Sequence, residues 1–276
     1  MEWDTYNFSL SSVSHDLSGA NPFLPLIVNP SSSYEMSFLV SPKNPSSLLI
    51  TVKNQAGGAI DNAKATLSKT GFSQTLYTGR RNLLQTNWAS SNYSSQSGNI
   101  DPESAPGQMT LLDIGGKYPT STEWLISKTI DFGAADVAFY DVSSNPTSSP
   151  PQTGPQSLKF QIATNNDQSA WNFVGPDGTD VSYYTTSTIL NPLHNNNRYL
   201  RYKIFMRTAD ENFTPTLNDL TINFSSPCIT RGRAFSDGLN AGTYTLTIEK
   251  AGYQTFIDPA VAVGGGSQEY LATLTP

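Results

Sequence analysis

The residue types that most readily do chemistry are sparse in this chain and poorly grouped. Nucleophilic or acid–base catalysis needs a nucleophile within reach of a base, or a paired acid and base. The two histidines, His15 and His194, are far apart in the sequence, and each is surrounded by polar, loop-forming residues. Gly-x-Ser-x-Gly, His-Glu-x-x-His and a phosphate-cradling glycine loop are all missing. The acids fall mostly at turns, where Asp caps backbone groups. The expectation is a chain without catalytic residues. A glycoside-type hydrolase, which needs two facing carboxylates, is the enzyme class kept in view.

Metal chemistry is equally thin. Asp177-Gly-Thr-Asp180 and Asp210-Glu211 put hard oxygen atoms in loops, and Asp177 with Asp180 is the pair a calcium ion would use. Calcium takes roughly six to eight oxygens, and a lone Asp-x-x-Asp more often caps a turn. No cofactor is expected, and calcium is the one weak candidate. The single cysteine, Cys228, excludes an intrachain disulfide and a thiolate metal site. A lone thiol is most often inert and buried.

The elements that must position any site are strands. Helical periodicity is almost absent, while apolar residues alternate with polar ones throughout. Tyr6, Phe8 and Leu10 alternate in this way, as do Tyr34, Met36, Phe38 and Val40, and Leu158, Phe160 and Ile162. In 197–206 the same pattern puts Leu200, Tyr202, Ile204 and Met206 on one face, and Leu220, Ile222 and Phe224 follow in the next strand. Turn signals such as Pro176-Asp-Gly178 and Asn191-Pro192 end the runs. Composition agrees: 14% of the 276 residues are charged, against roughly 25% in an average soluble domain. Ser, Thr and Asn fill the difference, and these suit strand faces and turns.

Net charge is -6. The densest basic spots, Arg80-Arg81 and Arg231-Gly-Arg233, are too short to neutralise a run of phosphates, which argues against nucleic acid as a partner. No apolar run approaches the roughly 18 residues that span a bilayer. Met1-Glu2-Trp3-Asp4 has neither the basic nor the apolar region of an export signal. The expectation is therefore an internal piece of a longer secreted or surface polypeptide, with Met1 added to start translation and neighbouring modules as its first partners.

Residues 5–42 and 243–276 read as one structural half seen twice. The first begins Thr5-Tyr-Asn-Phe-Ser-Leu and closes on Ser41-Pro42. The second begins Thr243-Tyr-Thr-Leu-Thr-Ile, turns at Gly264-Gly-Gly-Ser and closes on Thr275-Pro276. On this reading residues 1–46 are the tail of a preceding β module, joined through the Pro-bounded link Ser41-Pro-Lys-Asn-Pro45.

Ser47-Leu-Leu-Ile-Thr-Val-Lys-Asn-Gln-Ala-Gly-Gly-Ala-Ile-Asp-Asn-Ala-Lys-Ala-Thr-Leu-Ser68 gives a strand, a Gly turn and a second strand. Gly71-Phe72 and Thr75-Leu-Tyr-Thr-Gly79 follow. Much later, Gly232-Arg-Ala-Phe-Ser-Asp-Gly-Leu-Asn-Ala-Gly-Thr-Tyr-Thr-Leu-Thr-Ile-Glu-Lys-Ala-Gly-Tyr253 has the rhythm aromatic, Gly-Leu, Gly-Thr-Tyr, strand, Gly-Tyr. Together these halves resemble the carboxypeptidase regulatory-like, or transthyretin-like, β-sandwich family, a repeat unit of many bacterial surface proteins. The resemblance implies a discontinuous sandwich from 47–84 and 230–276. The intervening residues 85–229 are too many for a loop and must form a domain of their own. The fold class expected is all-β: a transthyretin-like antiparallel sandwich interrupted by an inserted sandwich, with an N-terminal partial repeat.

Within the insert, Thr122-Glu-Trp-Leu-Ile-Ser-Lys-Thr-Ile-Asp-Phe-Gly133, Leu158–Asp167, Trp171–Gly178, 198–208 and Pro215–Phe224 resemble jelly-roll, discoidin-like or lectin-like modules. The whole arrangement is similar to repeat proteins of uncultured bacteria, some of them pilus-associated. Jelly-roll modules commonly hold sugars on exposed aromatics beside polar side chains. The resemblance so points to Trp171, Tyr183, Tyr184, Tyr199 and Arg201 as carbohydrate-binding residues. Adjacent strand residues face opposite ways, so one of Tyr183 and Tyr184 is expected outward. Some related surface sandwiches form a Lys–Asn or Lys–Asp isopeptide bond. Lys53 and Glu249 are a suggestive pair, but the last strand, Glu269-Tyr-Leu-Ala-Thr-Leu-Thr275, offers no Asn or Asp partner, and no such bond is expected. The function these readings imply is a non-catalytic structural or adhesive module of an extracellular bacterial repeat protein, with glycans or surface proteins as partners. The alternative is a carbohydrate-binding module.

Overall fold

The computed structural model describes residues 4–21, 25–30, 32–42, 46–146, 148–185, 187–227 and 229–276. Cys228 and the Lys43-Asn44-Pro45 part of the expected joint lie outside the described residues. The protein is all-β. Its helical pieces, among the described residues, are two short 3-10 turns, Pro151–Thr153 and Pro192–His194. The chain divides into two compact units, one of Met1–Arg81 with Pro227–Pro276 and one of Asn82–Ser226.

In the discontinuous unit, Ser46–Asn54 is the middle strand of a three-stranded sheet. It pairs antiparallel with Arg233–Ser236 and parallel with Gly266–Leu274. A four-stranded sheet runs in the order Phe256–Val263, Gly242–Glu249, Lys64–Lys69, Phe72–Tyr77. Alternation sends Leu48, Ile50 and Val52 from the first sheet and Tyr244, Leu246 and Ile248 from the second into one shared apolar interior. The strand 48–53 and the strand 243–248 thus have a common core, although the whole second unit separates them in sequence.

The place where the chain returns is clamped by Asp61. Its carboxylate accepts from Arg231 Nε at 2.6 Å and from the Gly232 amide at 2.7 Å. Gly232 is required there. It has φ +68°, and a Cβ would lie 2.7 Å from the Val52 carbonyl oxygen and 2.9 Å from Ala59 Cβ, a space only glycine leaves open.

The N-terminal residues belong to the same unit. Thr5–Tyr6 pairs with Leu26–Ile27, and His15–Asn21 pairs with Ser37–Pro42. Ser47 donates to Asp16 at 3.3 Å, and the buried Thr230 hydroxyl bonds both backbone groups of Ala20, donating to its oxygen at 2.6 Å and accepting from its N–H at 2.9 Å. Removing a hydroxyl that satisfies two buried groups costs about 1–3 kcal/mol. Thr230→Val is therefore expected to lower stability by about that amount and to speed amide exchange in 15–21. Unchanged exchange in that strand would contradict the assignment.

The second unit is built on Tyr199–Met206. This strand pairs on one side with Leu158–Asn165 and on the other with Glu123–Ser127 and Ile130–Asp131, and Tyr93–Gln96 extends the sheet. A four-stranded sheet, Thr188–Ile189, Ala138–Asn145, Asp219–Ser225 and Arg81–Gln85 in that order, and a three-stranded one, Ile100–Ala105, Gln108–Leu111 and Thr216–Leu217, complete it. Leu200, Tyr202, Ile204 and Met206 are all buried and share a core with Phe139, Val142, Leu220 and Ile222, the face that period-2 reading marks.

Glu123, almost wholly buried, opens the strand Glu123–Ser127. Its carboxylate accepts from Ser97 Oγ at 2.5 Å, Ser121 Oγ at 2.6 Å and Asn99 Nδ2 at 3.2 Å. Burial pushes this carboxyl up, but the three hydrogen bonds outweigh it and hold the group below its ordinary range.

Candidate functional site

The strand that fills the core with its even-numbered residues shows a different set on its other face. Tyr199, Arg201, Lys203 and Phe205 alternate with the buried residues and are half-exposed. Register brings further side chains to the same face, because directly opposed residues point the same way. Lys159 lies opposite Phe205 on one flank, and Trp124 opposite Phe205 on the other.

The segment 171–184 then runs back along the outer edge of Leu158–Asn165. Val174 exchanges backbone hydrogen bonds with Ile162 at 3.0 and 3.1 Å, and Tyr184 with Phe160 at 2.8 and 2.9 Å. Those two bridges turn Val174 and Tyr184 toward the side of Ile162 and Phe160. Alternation leaves Trp171, Phe173 and Tyr183 on the outer face.

The result is an interleaved set of rings and cations. The Arg201 guanidinium sits 4.5 Å from the Trp171 ring centre, and Lys159 Nζ sits 3.4 Å from that of Tyr183. Lys203 Nζ is 4.8 Å from Phe205, 5.0 Å from Trp124 and 6.0 Å from Phe173. Tyr183 meets Phe205 edge to face at 5.2 Å. A cation over a ring face is attracted by the ring quadrupole, more so where water is partly excluded.

Arg207 continues the face. Its Nε is buried without a hydrogen-bond partner among the described residues. Among the described residues none of Lys159, Arg201, Lys203 and Arg207 has an ion-pair partner within 4.0 Å. Burial, and then the like charge of Arg207, push the Lys159 ammonium below its ordinary value; burial does the same to Lys203. At the start of the strand the situation is reversed. There Arg198 forms a two-bond ion pair with Asp131 at 2.8 and 2.9 Å and lies 5.1 Å from the Tyr199 ring.

Of the residues expected to bind carbohydrate, Trp171, Tyr183, Tyr199 and Arg201 come together on this face. Tyr184 does not and requires a correction. It is 0% exposed in the core, its hydroxyl accepts from the Asn191 amide at 3.0 Å, and it offers a ligand no surface. Lys159, Lys203, Phe205, Phe173, Trp124 and Arg207 are members that sequence reading missed. For Lys203, Phe205 and Arg207 the sequence holds only the regular alternation of the odd-numbered half of 199–207, and for Lys159, Phe173 and Trp124 it holds no local signal.

The calcium pair also resolves differently. One Asp177 oxygen accepts from the Thr179 amide and hydroxyl, each at 2.8 Å, and from the Ser182 hydroxyl. These bonds, Ser182 first, hold its pKa down. Asp180 contributes its backbone carbonyl, which accepts from Gln161 Nε2 at 2.7 Å. Both acids belong to a tight turn, and among the described residues no group of three or more His, Cys, Asp or Glu is arranged to hold a metal. Asp210 caps the Asn212 amide at 3.0 Å, and Glu211 pairs with Lys117 at 2.8 Å.

His15 is exposed beside Ser14, whereas His194 is 0% exposed, not in a polar loop as its neighbours suggested. Glu249 pairs with Lys64, not Lys53, at 2.9 Å. Open clefts among the described residues of this unit include two with lining that bears on catalysis. One, of about 200 Å³, lies between Pro146, Pro151 and Leu158; the other, of about 440 Å³, lies between Trp88, Pro102 and Glu103. Neither brings two carboxylates face to face.

No family model matches the chain, and no curated protein matches it. Among solved structures, the Bacillus anthracis TIE protein is similar at 11% identity, over 88% of this chain and 53% of that one, with a TM-score of 0.13. The chain thus spans about half the length of that protein, and a likeness at this level carries no argument.

Proposed function

We propose that this chain is a non-catalytic adhesive module of a secreted or cell-surface bacterial repeat protein, and that it makes its contact through the outer face of the five-stranded sheet by binding carbohydrate. In this reading the discontinuous unit is a transthyretin-like spacer, joined to neighbouring modules of a longer polypeptide, and the second unit is a jelly-roll-like binding module. Support for the spacer is the single interior that two distant sequence segments build together.

The observation that carries the binding reading is the row of half-exposed rings, Trp171, Phe173, Tyr183, Phe205 and Trp124, alternating with cations on one rigid sheet. Buried aromatics fill cores, but rings kept at a surface beside donors suit a ligand with both apolar and polar sides. A sugar is such a ligand, since its C–H face is apolar and its hydroxyls seek donors. Calorimetric titration against a polysaccharide panel tests this. Binding is expected, and Trp171→Ala is expected to abolish it with thermal unfolding unchanged. A parent protein that binds no glycan, or a Trp171→Ala variant that binds as well as the parent, would end the proposal.

A further inference from the structure

We infer that the glycan taken by this face is an acidic one, a linear polymer carrying a carboxylate on its sugar units; the inference rests on the carbohydrate reading above and specifies its substrate class. Three observations lead there.

First, the chain is acidic, at net charge -6, yet Lys159, Arg201, Lys203 and Arg207 gather on one face with no ion-pair partner among the described residues. Arg207 is close enough to Lys159 to disfavour the charge on its ammonium. Half-buried like charges lower the stability of the free protein and are relieved when an anion arrives. Elsewhere Arg198 is neutralised by Asp131 and Arg231 by Asp61.

Second, the cations are disposed as a row. Arg201, Lys203 and Arg207 project from the same side of one strand and its continuation, and at roughly 3.3 Å per residue they cover about 20 Å. A single small anion would use one of these positions; a polymer with a repeating charge would use them together.

Third, three of the four cations, Arg201, Lys203 and Lys159, each have a ring beside them. Arg201 has Trp171, Lys203 has Phe173, Trp124 and Phe205, and Lys159 has Tyr183. Each position so offers a donor for a carboxylate and an apolar edge for the sugar that bears it. Arg201 is oriented by its Nε bond to Thr129 Oγ1 at 2.8 Å, which leaves both terminal nitrogens of the guanidinium for a bidentate carboxylate. Single-stranded nucleic acid is also a repeating anion, but base stacking wants open ring faces. Here a cation lies over one face of Trp171 and of Tyr183, which interrupts the continuous platform that successive bases would need, whereas a sugar unit needs only one apolar contact beside a cation.

The test is titration of the parent protein and a Lys159→Gln/Lys203→Gln variant with polygalacturonate, alginate and hyaluronate, with fully methyl-esterified galacturonan and dextran as neutral polymers, and with poly(dT). The parent is expected to bind at least one carboxylated polymer, to lose about tenfold in affinity between roughly 0.05 and 0.5 M salt, and to bind the methyl ester about tenfold or more weakly, as charge pairing in partly excluded water requires. The double variant should show a similar loss with a thermal unfolding midpoint no lower than the parent's, because the unfavourable half-buried charges are gone. Neutral polymers bound as tightly as acidic ones, or a double variant that binds like the parent, would overturn the inference and leave the carbohydrate reading standing. Binding of poly(dT) alone, or of nothing, would remove both.

Discussion

Lowering the pH from 7 to about 4 is expected to remove roughly 3 kcal/mol of stability through His194 alone. The imidazole is 0% exposed, in the 3-10 turn Pro192–His194, with Nδ1 3.2 Å from Thr164 Oγ1 and Nε2 without a hydrogen-bond partner among the described residues. Burial pushes its pKa down to about 4 from an ordinary 6.5. As the pH falls through 6.5 the unfolded chain takes up a proton that the folded protein refuses until about pH 4, so the unfolded state gains throughout that interval. Above 6.5 both states are neutral at this position and the contribution is full.

Denaturant titrations at pH 7 and pH 4 measure the loss. His194→Gln keeps a polar side chain of similar reach without the titration. The carboxylates, Glu123 among them, act on parent and variant alike, so the difference between the two isolates His194. Parallel loss in both proteins would contradict this account. The effect also reaches the binding face, because the His194 turn is tied to the segment that carries Tyr183. Asn191 Nδ2 donates to the Pro176 carbonyl at 2.9 Å, and the His194 ring lies 6.3 Å from Tyr184.

Gly175→Ala is expected to be the most damaging single methyl group that can be added to the binding face, at about 3 kcal/mol, the upper end of ordinary overpacking. Gly175 is buried at the neck of the loop 175–182, and a Cβ there would fall on the backbone carbonyl of Ser182. The obstacle cannot rotate away. Ser182 O is held by Gln161 Nε2 at 3.0 Å, and the Gly175 amide donates to Thr179 O at 2.9 Å. To admit the methyl group the neck must open, which pulls on the Val174 and Tyr184 bridges and displaces Phe173 and Tyr183 from the face. A lowered unfolding midpoint together with lost polysaccharide binding is the expected result. An alanine variant that melts and binds like the parent would show that the neck is not held in this way.

The inward half of this architecture was legible in the sequence, and the outward half was not. Leu200, Tyr202, Ile204 and Met206 announce a core face because burial demands apolar residues at every second position. Tyr199, Arg201, Lys203 and Phe205 obey the same alternation, but solvent tolerates almost any residue, so their order marks nothing until neighbours are known. Lys159 joins them only through the pairing of 158–165 with 199–206, a contact that no local pattern encodes. A search for contiguous basic residues stops at Arg80-Arg81 and Arg231-Gly-Arg233. Arg80, however, lies over the Tyr77 ring and donates to Asn62, while Arg231 is neutralised by Asp61. Tyr183 and Tyr184 show the same limit. Alternation dictates that they point opposite ways, and the bridge to Phe160 decides which one goes inside.

One pairing in the discontinuous unit has a mechanical meaning. Gly266–Leu274 lies parallel to Ser46–Asn54, rung against rung from Gly266 opposite Ser46 to Leu274 opposite Asn54. The chain therefore comes into this pair at one end and departs at the other. Tension drawn between Ser46 and Leu274 slides the two strands lengthwise past each other, so the evenly spaced bonds of the ladder share the load and must fail together. Peeling them apart one at a time would require pulling from a single end, which this threading does not offer.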